Sequence, residues 1–252
     1  MIGAEAWILI WFFLILVGLM VLQRRLHFEI QACLLLITRR EDLSLAIFSI
    51  LFFPGVFLHE VSHYLMARLL GVKAMRLSLL PEVIPGGRLR LGYVETARTD
   101  ILRDSFIGLA PVVSGGLIIS IILYRLLNSS GGLWEFRSAN LADILPRFAA
   151  ASRQPDFWLW FYVIFVISST MFPSASDRRG WLPVLAIASL LVLAGLLLGI
   201  GPWLEVNLLP GVLSFVQICT AVFGIISLTH LGLWLPFWIF RRLLSGYVRI
   251  GN

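Results

Sequence analysis

Acidic residues are scarce in this chain. Asp and Glu number 14 against 20 Lys and Arg, and charges of both signs make up only 13% of 252 residues. A soluble domain carries about 25% charged and about 45–50% apolar residues, whereas 59% are hydrophobic here. That shortage of charge excludes an ordinary water-facing surface. Cysteine is nearly missing: Cys33 and Cys219 stand alone, without a CxxC pair, which excludes a disulfide framework and a thiolate metal site. No internal repeat, low-complexity tract or second domain interrupts the chain.

What is abundant is apolar sequence in long runs. Six runs lie near or above the ~17–25 residues that cross a ~30 Å hydrocarbon core: 6–22, 43–70, 104–127, 157–175, 181–200 and 208–240. Lipid offers no partner to backbone groups, so each run is expected to be helical. The last is long enough to cross and then follow the interface. Residues 28–37 are apolar but too short to span and are expected at the interface. The first run leads straight into Gln23-Arg24-Arg25 with no small-residue cleavage site, so it is expected to stay as a membrane helix. The expected fold class is an all-α polytopic membrane protein, one integral domain over 1–252 in the lipid bilayer.

A net charge of +6 raises the question of nucleic acid. The basic residues sit at the ends of apolar runs, where they report topology instead, and no nucleic-acid partner is expected. Six spans put 73–103, 176–180 and the C-terminal tail on one side with eleven Lys and Arg, against eight in 23–42 and 125–156. The bias favours both termini in the cytoplasm, of a bacterial or archaeal membrane. One stretch has strand character: 75–80 and 88–91 alternate polar and apolar residues around Pro81-Glu82-Val83-Ile84-Pro85-Gly86-Gly87. A β-hairpin on the cytoplasmic side is expected there.

The chemistry concentrates in the second run, where His59-Glu60-Val61-Ser62-His63 reads HExxH. Positions i and i+4 share a helix face, so both imidazoles reach one metal ion, and Glu60 lies beside it as a proton acceptor for water. Imidazole suits Zn2+, the expected cofactor. A chance HExxH in a soluble helix would simply be solvated. Here the motif lies inside an apolar run, where an unpaired Glu costs on the order of 2.5 kcal/mol or more. The other two histidines, His27 and His230, lie near segment ends and are expected at the interface rather than as ligands. Catalytic zinc takes three protein ligands. Asp177, at the cytoplasmic end of the fourth run, is the candidate third, with Asp100 and Asp104 as competitors; alternatively, Asp177 pairs with Arg178 or Arg179. In 108–116, Ala110 with Ser114 are small residues four apart, which permit close helix packing or a place beside the site.

HExxH in a membrane helix, the hairpin running from Gly71-Val72-Lys73 to Leu91-Gly92-Tyr93-Val94, Ala110-Pro111-x-x-Ser114-Gly115 and Pro173 to Asp177 together resemble the site-2 protease family of intramembrane zinc metalloproteases. The likeness covers about 45–180, and 6–22, 181–200 and 208–240 look like additions. The family usually carries its third ligand in an Asp-Gly pair, whereas Asp177 precedes Arg178-Arg179, and Ser114 matches its usual Asn. The resemblance implies that His59, His63 and Asp177 hold zinc and that Glu60 is catalytic. It also implies that the partner is a membrane protein cleaved in or near a transmembrane helix. Leu77, Ser78, Leu79 and Ser114 are the expected substrate-binding residues, the hairpin holding an extended segment by strand addition. Two alternatives stay open: a non-proteolytic metal-binding scaffold, and a prenyl-protease-like enzyme with a Glu ligand among Glu82, Glu95, Glu135 and Glu205.

Overall fold

A computed structural model describes residues 4–84, 88–127 and 141–250. The chain runs α1 (Ala4–Thr38), α2 (Glu41–Leu69), β1 (Ala74–Ser78), β2 (Glu82–Ile84), β3 (Arg88–Arg90), β4 (Tyr93–Thr96), α3 (Ile101–Leu126), α4 (Leu141–Ala151), α5 (Phe157–Thr170), α6 (Trp181–Leu197), α7 (Gly201–Asn207) and α8 (Leu209–Ile250). Among the described residues four helices, α1, α2, α3 and α8, are long and apolar enough to cross a membrane. Their outward residues are apolar: Leu14, Ile50, Leu117 and Phe215 are each more than half exposed. This arrangement fits an integral membrane protein, with lipid as the solvent.

Among the described residues the six expected runs yield four such helices, or five if the bent pair α6 and α7 makes one span. Gln23-Arg24-Arg25 does not end the first helix, because Gln and Arg are good helix formers and charge alone breaks no backbone hydrogen bond. Residues 28–37 therefore continue α1; Ile30 and Cys33 are buried there. The helix stops at Arg39, which adopts a left-handed φ of 53°. The run 157–175 yields only the 14-residue α5, about 21 Å of helix, because Pro173 cannot continue it. The run 181–200 ends at Gly199, φ +80°, whose N–H bonds Leu196 O while Ile200 N–H bonds Gly195 O. That is a Schellman stop, and α7 leaves at 116° to α6.

α1 and α8 pack side by side and run the same way: Phe12 stacks on Phe223, and Cys33 Sγ reaches the Phe237 carbonyl. The six-span reading makes the first and last spans antiparallel. Two parallel helices that both cross do so in the same sense, so this packing argues against both termini on one face.

α2 also ends in a Schellman motif. Gly71 (φ +71°) donates to Arg68 O and Val72 to Ala67 O, and Val72 and Ala67 pack together with Ile107 of α3. The chain is thereby turned into the β element. β1 pairs with β4, not with 88–91: Arg76 opposes Glu95, Leu77 Val94 and Ser78 Tyr93, with an irregularity between Ala74 and Arg76. β2, read in the sequence as part of the turn, pairs with β3, Glu82 opposite Arg90. Opposite charges across a ladder favour that register, and Pro81 with Leu91-Gly92 separates the two ladders. After β4, Asp100 caps α3 by accepting the Arg103 N–H at 3.0 Å, which holds its carboxyl below the ordinary range. α5 packs against α2, α3 and α8 and is almost wholly buried from Ile164 to Ser169.

A candidate metal centre between three helices

His59 and His63 occupy the lower half of α2, on successive turns of one face. Their Nε2 atoms are 3.1 Å apart. Asp177 arrives from the loop between α5 and α6, with Oδ1 3.6 Å from His63 Nε2 and Oδ2 3.9 Å from His59 Nε2. These three side chains, drawn from positions 118 residues apart at the extremes, offer ligand atoms all within 4.8 Å of one another. In a tetrahedral site with bonds of about 2.0–2.1 Å, ligand atoms sit about 3.3–3.4 Å apart. The three observed separations straddle that edge, so the residues present fit a zinc ion.

The tautomer fits as well. His63 Nδ1 lies 2.8 Å from the Ile107 carbonyl; a carbonyl only accepts, so Nδ1 carries the proton and Nε2 presents a lone pair. Why this carbonyl is available is written in the sequence. In a helix it would accept from residue 111, and residue 111 is Pro, which has no N–H. Pro111 thus frees the acceptor that orients His63, the arrangement usual for a metal-binding imidazole. Asp177 is also held from behind: Oδ2 accepts the Ser174 N–H at 2.7 Å. Arg178 turns its Nε to the Ser174 carbonyl at 3.3 Å, away from the Asp177 carboxylate.

Glycine lets these parts meet. A Cβ on Gly108 of α3 would overlap the Asp177 backbone carbonyl, and one on Gly180 would overlap the Ser105 hydroxyl. The Asp177 loop therefore lies directly on the first two turns of α3, beside the carbonyl that holds His63. Gly92, between the two ladders, would place a Cβ 2.9 Å from Glu60 Cγ and 3.0 Å from Val56 Cγ1. The β element accordingly sits against Glu60, which is buried at 8% exposure. Glu60, His59, Leu91, Gly92 and Thr170 share a cavity of about 220 Å³. No protein-family model, curated protein or solved structure matches the chain. The chemistry of this site therefore rests on its own geometry.

The other expected residues fall as follows. Leu77 is exposed and Ser78 half-buried on β1, which pairs only with β4 among the described residues, leaving its outer edge open; half-buried Leu79 follows the end of the strand. Ser114 does not line the cavity; its Oγ meets Ser62 Oγ at 2.6 Å and clips α3 to α2. Asp100 and Asp104 stay out of the His-Asp cluster, as do Glu82, Glu95 and Glu205; Glu135 lies outside the described residues. Both remaining histidines lie within the helix packing. His230 is fully buried, its Nε2 3.1 Å from Ser169 Oγ. His27 packs on the Phe52 ring at 4.8 Å and lines the same cavity as Glu60. Its Nε2 is buried without a hydrogen-bond partner among the described residues, as is Nδ1 of His59. Sequence reasoning missed Gly92, Gly108, Ile107 and His27. Pro111, four residues after Ile107, was the available signal for that carbonyl.

Proposed function

We propose that the protein is an intramembrane zinc metalloprotease of the site-2 type, hydrolysing peptide bonds in or near transmembrane segments of membrane-protein substrates. The observation that carries the reading is the convergence of His59, His63 and Asp177 beside Glu60. Ionisable groups placed among apolar helices are costly, and function is the common reason for keeping them.

His59 Nε2, His63 Nε2 and an Asp177 oxygen would hold the ion. Bound there, zinc supplies Lewis-acid polarisation of a carbonyl and a lowered pKa for water beside it. The remaining work belongs to the chain. Glu60 accepts the proton of the attacking water; the oxygen bonds to the scissile carbonyl carbon, the C–N bond breaks, and Glu60 returns the proton to the departing amine. The Ile107 carbonyl keeps the His63 Nδ1 proton in place throughout. A helical substrate hides its carbonyls in i to i+4 bonds, so it must unwind before cleavage. The open edge of β1, at Leu77 and Ser78 and on towards Leu79, can hold the extended segment by strand addition.

The test is Glu60→Gln in full-length protein. The amide cannot take the proton of water, so zinc content stays near one per chain while cleavage of a membrane substrate disappears. Cleavage at the normal rate in Glu60→Gln overturns the mechanism. Zinc below about a tenth of an equivalent, not restored by added metal, removes the metal centre itself.

A further inference from the structure

A second cavity lies outside the candidate metal centre. It is a groove of about 690 Å³ along the seam of α1 and α8, and its two ends differ in chemistry. One is apolar, formed by Gly18, Leu22, Leu228 and Leu231. The other carries Arg25, Glu29, Trp238 and Arg241.

The charges at that end do not balance. Glu29, 4% exposed, is matched by Arg241, whose Nε and Nη2 both donate to its carboxylate. Arg25 is exposed and has no ion-pair partner among the described residues. Arg24 adjoins it, and Arg242 lies over the Trp238 ring at 4.1 Å. At the groove itself two guanidinium groups, Arg25 and Arg241, meet one carboxylate, Glu29. Trp234 also lines the groove; its indole N–H is closed off from solvent and has no acceptor among the described residues.

We propose that this groove binds one anionic phospholipid. Its phosphate lies toward Arg25 and Arg241, and an acyl chain follows Leu22 to Gly18. Length agrees with this occupant: from Ile15 to Glu29 α1 rises about 21 Å, and one leaflet with its headgroup region is about half of 40–45 Å. Charge complementarity selects an anionic lipid, because a zwitterionic headgroup brings its own cation to an arginine-rich end. A second copy of the chain fits poorly, since a two-fold contact would set these arginines against their own equivalents.

The proposal is tested on full-length protein by native mass spectrometry after exchange into detergent containing phosphatidylglycerol, phosphatidylcholine or inorganic phosphate. One phosphatidylglycerol per chain is expected, with phosphatidylcholine held several-fold more weakly and phosphate not competing. Arg25→Gln should cost about fivefold in affinity for phosphatidylglycerol, the effect of one basic residue near an anionic headgroup. Gly18→Leu should abolish retention without harming the fold, because a Cβ there meets no atom within 4 Å and leucine favours helix over glycine. Four results overturn the proposal: equal retention of both lipids, undiminished lipid on Gly18→Leu, saturation by phosphate alone, or a lipid-free dimer that Gly18→Leu dissolves.

Discussion

Replacing Gly108 by Ala separates the site's geometry from helix stability, because the two respond in opposite directions. In an isolated helix Ala is favoured over Gly by about 0.8–1 kcal/mol, so α3 itself should gain. The new Cβ, however, would overlap the Asp177 carbonyl. That obstacle is backbone and cannot rotate aside. Restoring ordinary contact requires the loop to withdraw by on the order of 1 Å. The His63–Asp177 and His59–Asp177 separations, 3.6 and 3.9 Å, already reach or exceed the edge of a zinc tetrahedron, so withdrawal carries Asp177 out of range. Loss of ligand support of this kind costs about 10–100-fold in metal affinity, or about 1.4–2.7 kcal/mol. Gly116→Ala is the control: it lies on the same helix, and a Cβ there meets nothing within 4 Å. Zinc content after graded chelator competition, measured beside thermal unfolding of both variants, reads the result. Gly108→Ala should lose zinc at lower chelator than the parent protein, and Gly116→Ala should not. If both variants hold zinc within about twofold of the parent, the loop does not position a ligand, and the reasoning is wrong.

Further outcomes follow from the same structure. Gly92→Ala should lower substrate cleavage with zinc content unchanged, because its Cβ would press on Glu60 and Val56 rather than on a ligand; parallel loss of zinc and activity would refute this separation. Ser114→Ala breaks the Ser62–Ser114 bond and should cost about 0.6–1 kcal/mol of stability with the cleavage site unmoved; a changed site would return Ser114 to the substrate-binding residues. Asp177→Ala should weaken zinc retention while Asp104→Ala leaves it intact, and equal loss in the two would dissolve the proposed ligand set. The parallel α1 and α8 predict that cysteines at Glu5→Cys and Gly246→Cys label from opposite faces of the membrane. Labelling from the same face would restore the antiparallel arrangement.

Spacing along one helix was enough to pair His59 with His63, because i and i+4 share a face whatever surrounds them. The same local rule put Glu60 beside them, and apolar run length identified the long helices. Two further stops were legible as residue types: Gly71 and Gly199, which end α2 and α6 through left-handed backbone. The break after α5 was legible less clearly, since Pro173 sits inside a run that hydropathy alone extends to residue 175. Strand alternation found the β element but not its register. Pairing depends on which ladder satisfies Glu82 against Arg90 and leaves Gly92 against Glu60, and both are contacts between segments. Direction was beyond the sequence for the same reason. Charge asymmetry reports an average over loops, whereas the relative sense of α1 and α8 is fixed by side chains packing across more than 200 positions, Phe12 on Phe223 and Cys33 at Phe237. The sequence could nominate Asp177, but only the approach of its loop to Gly108 and the acceptor freed by Pro111 bring it and His63 to one point. Local chemistry names the candidate ligands; close contact between distant backbones decides whether they meet.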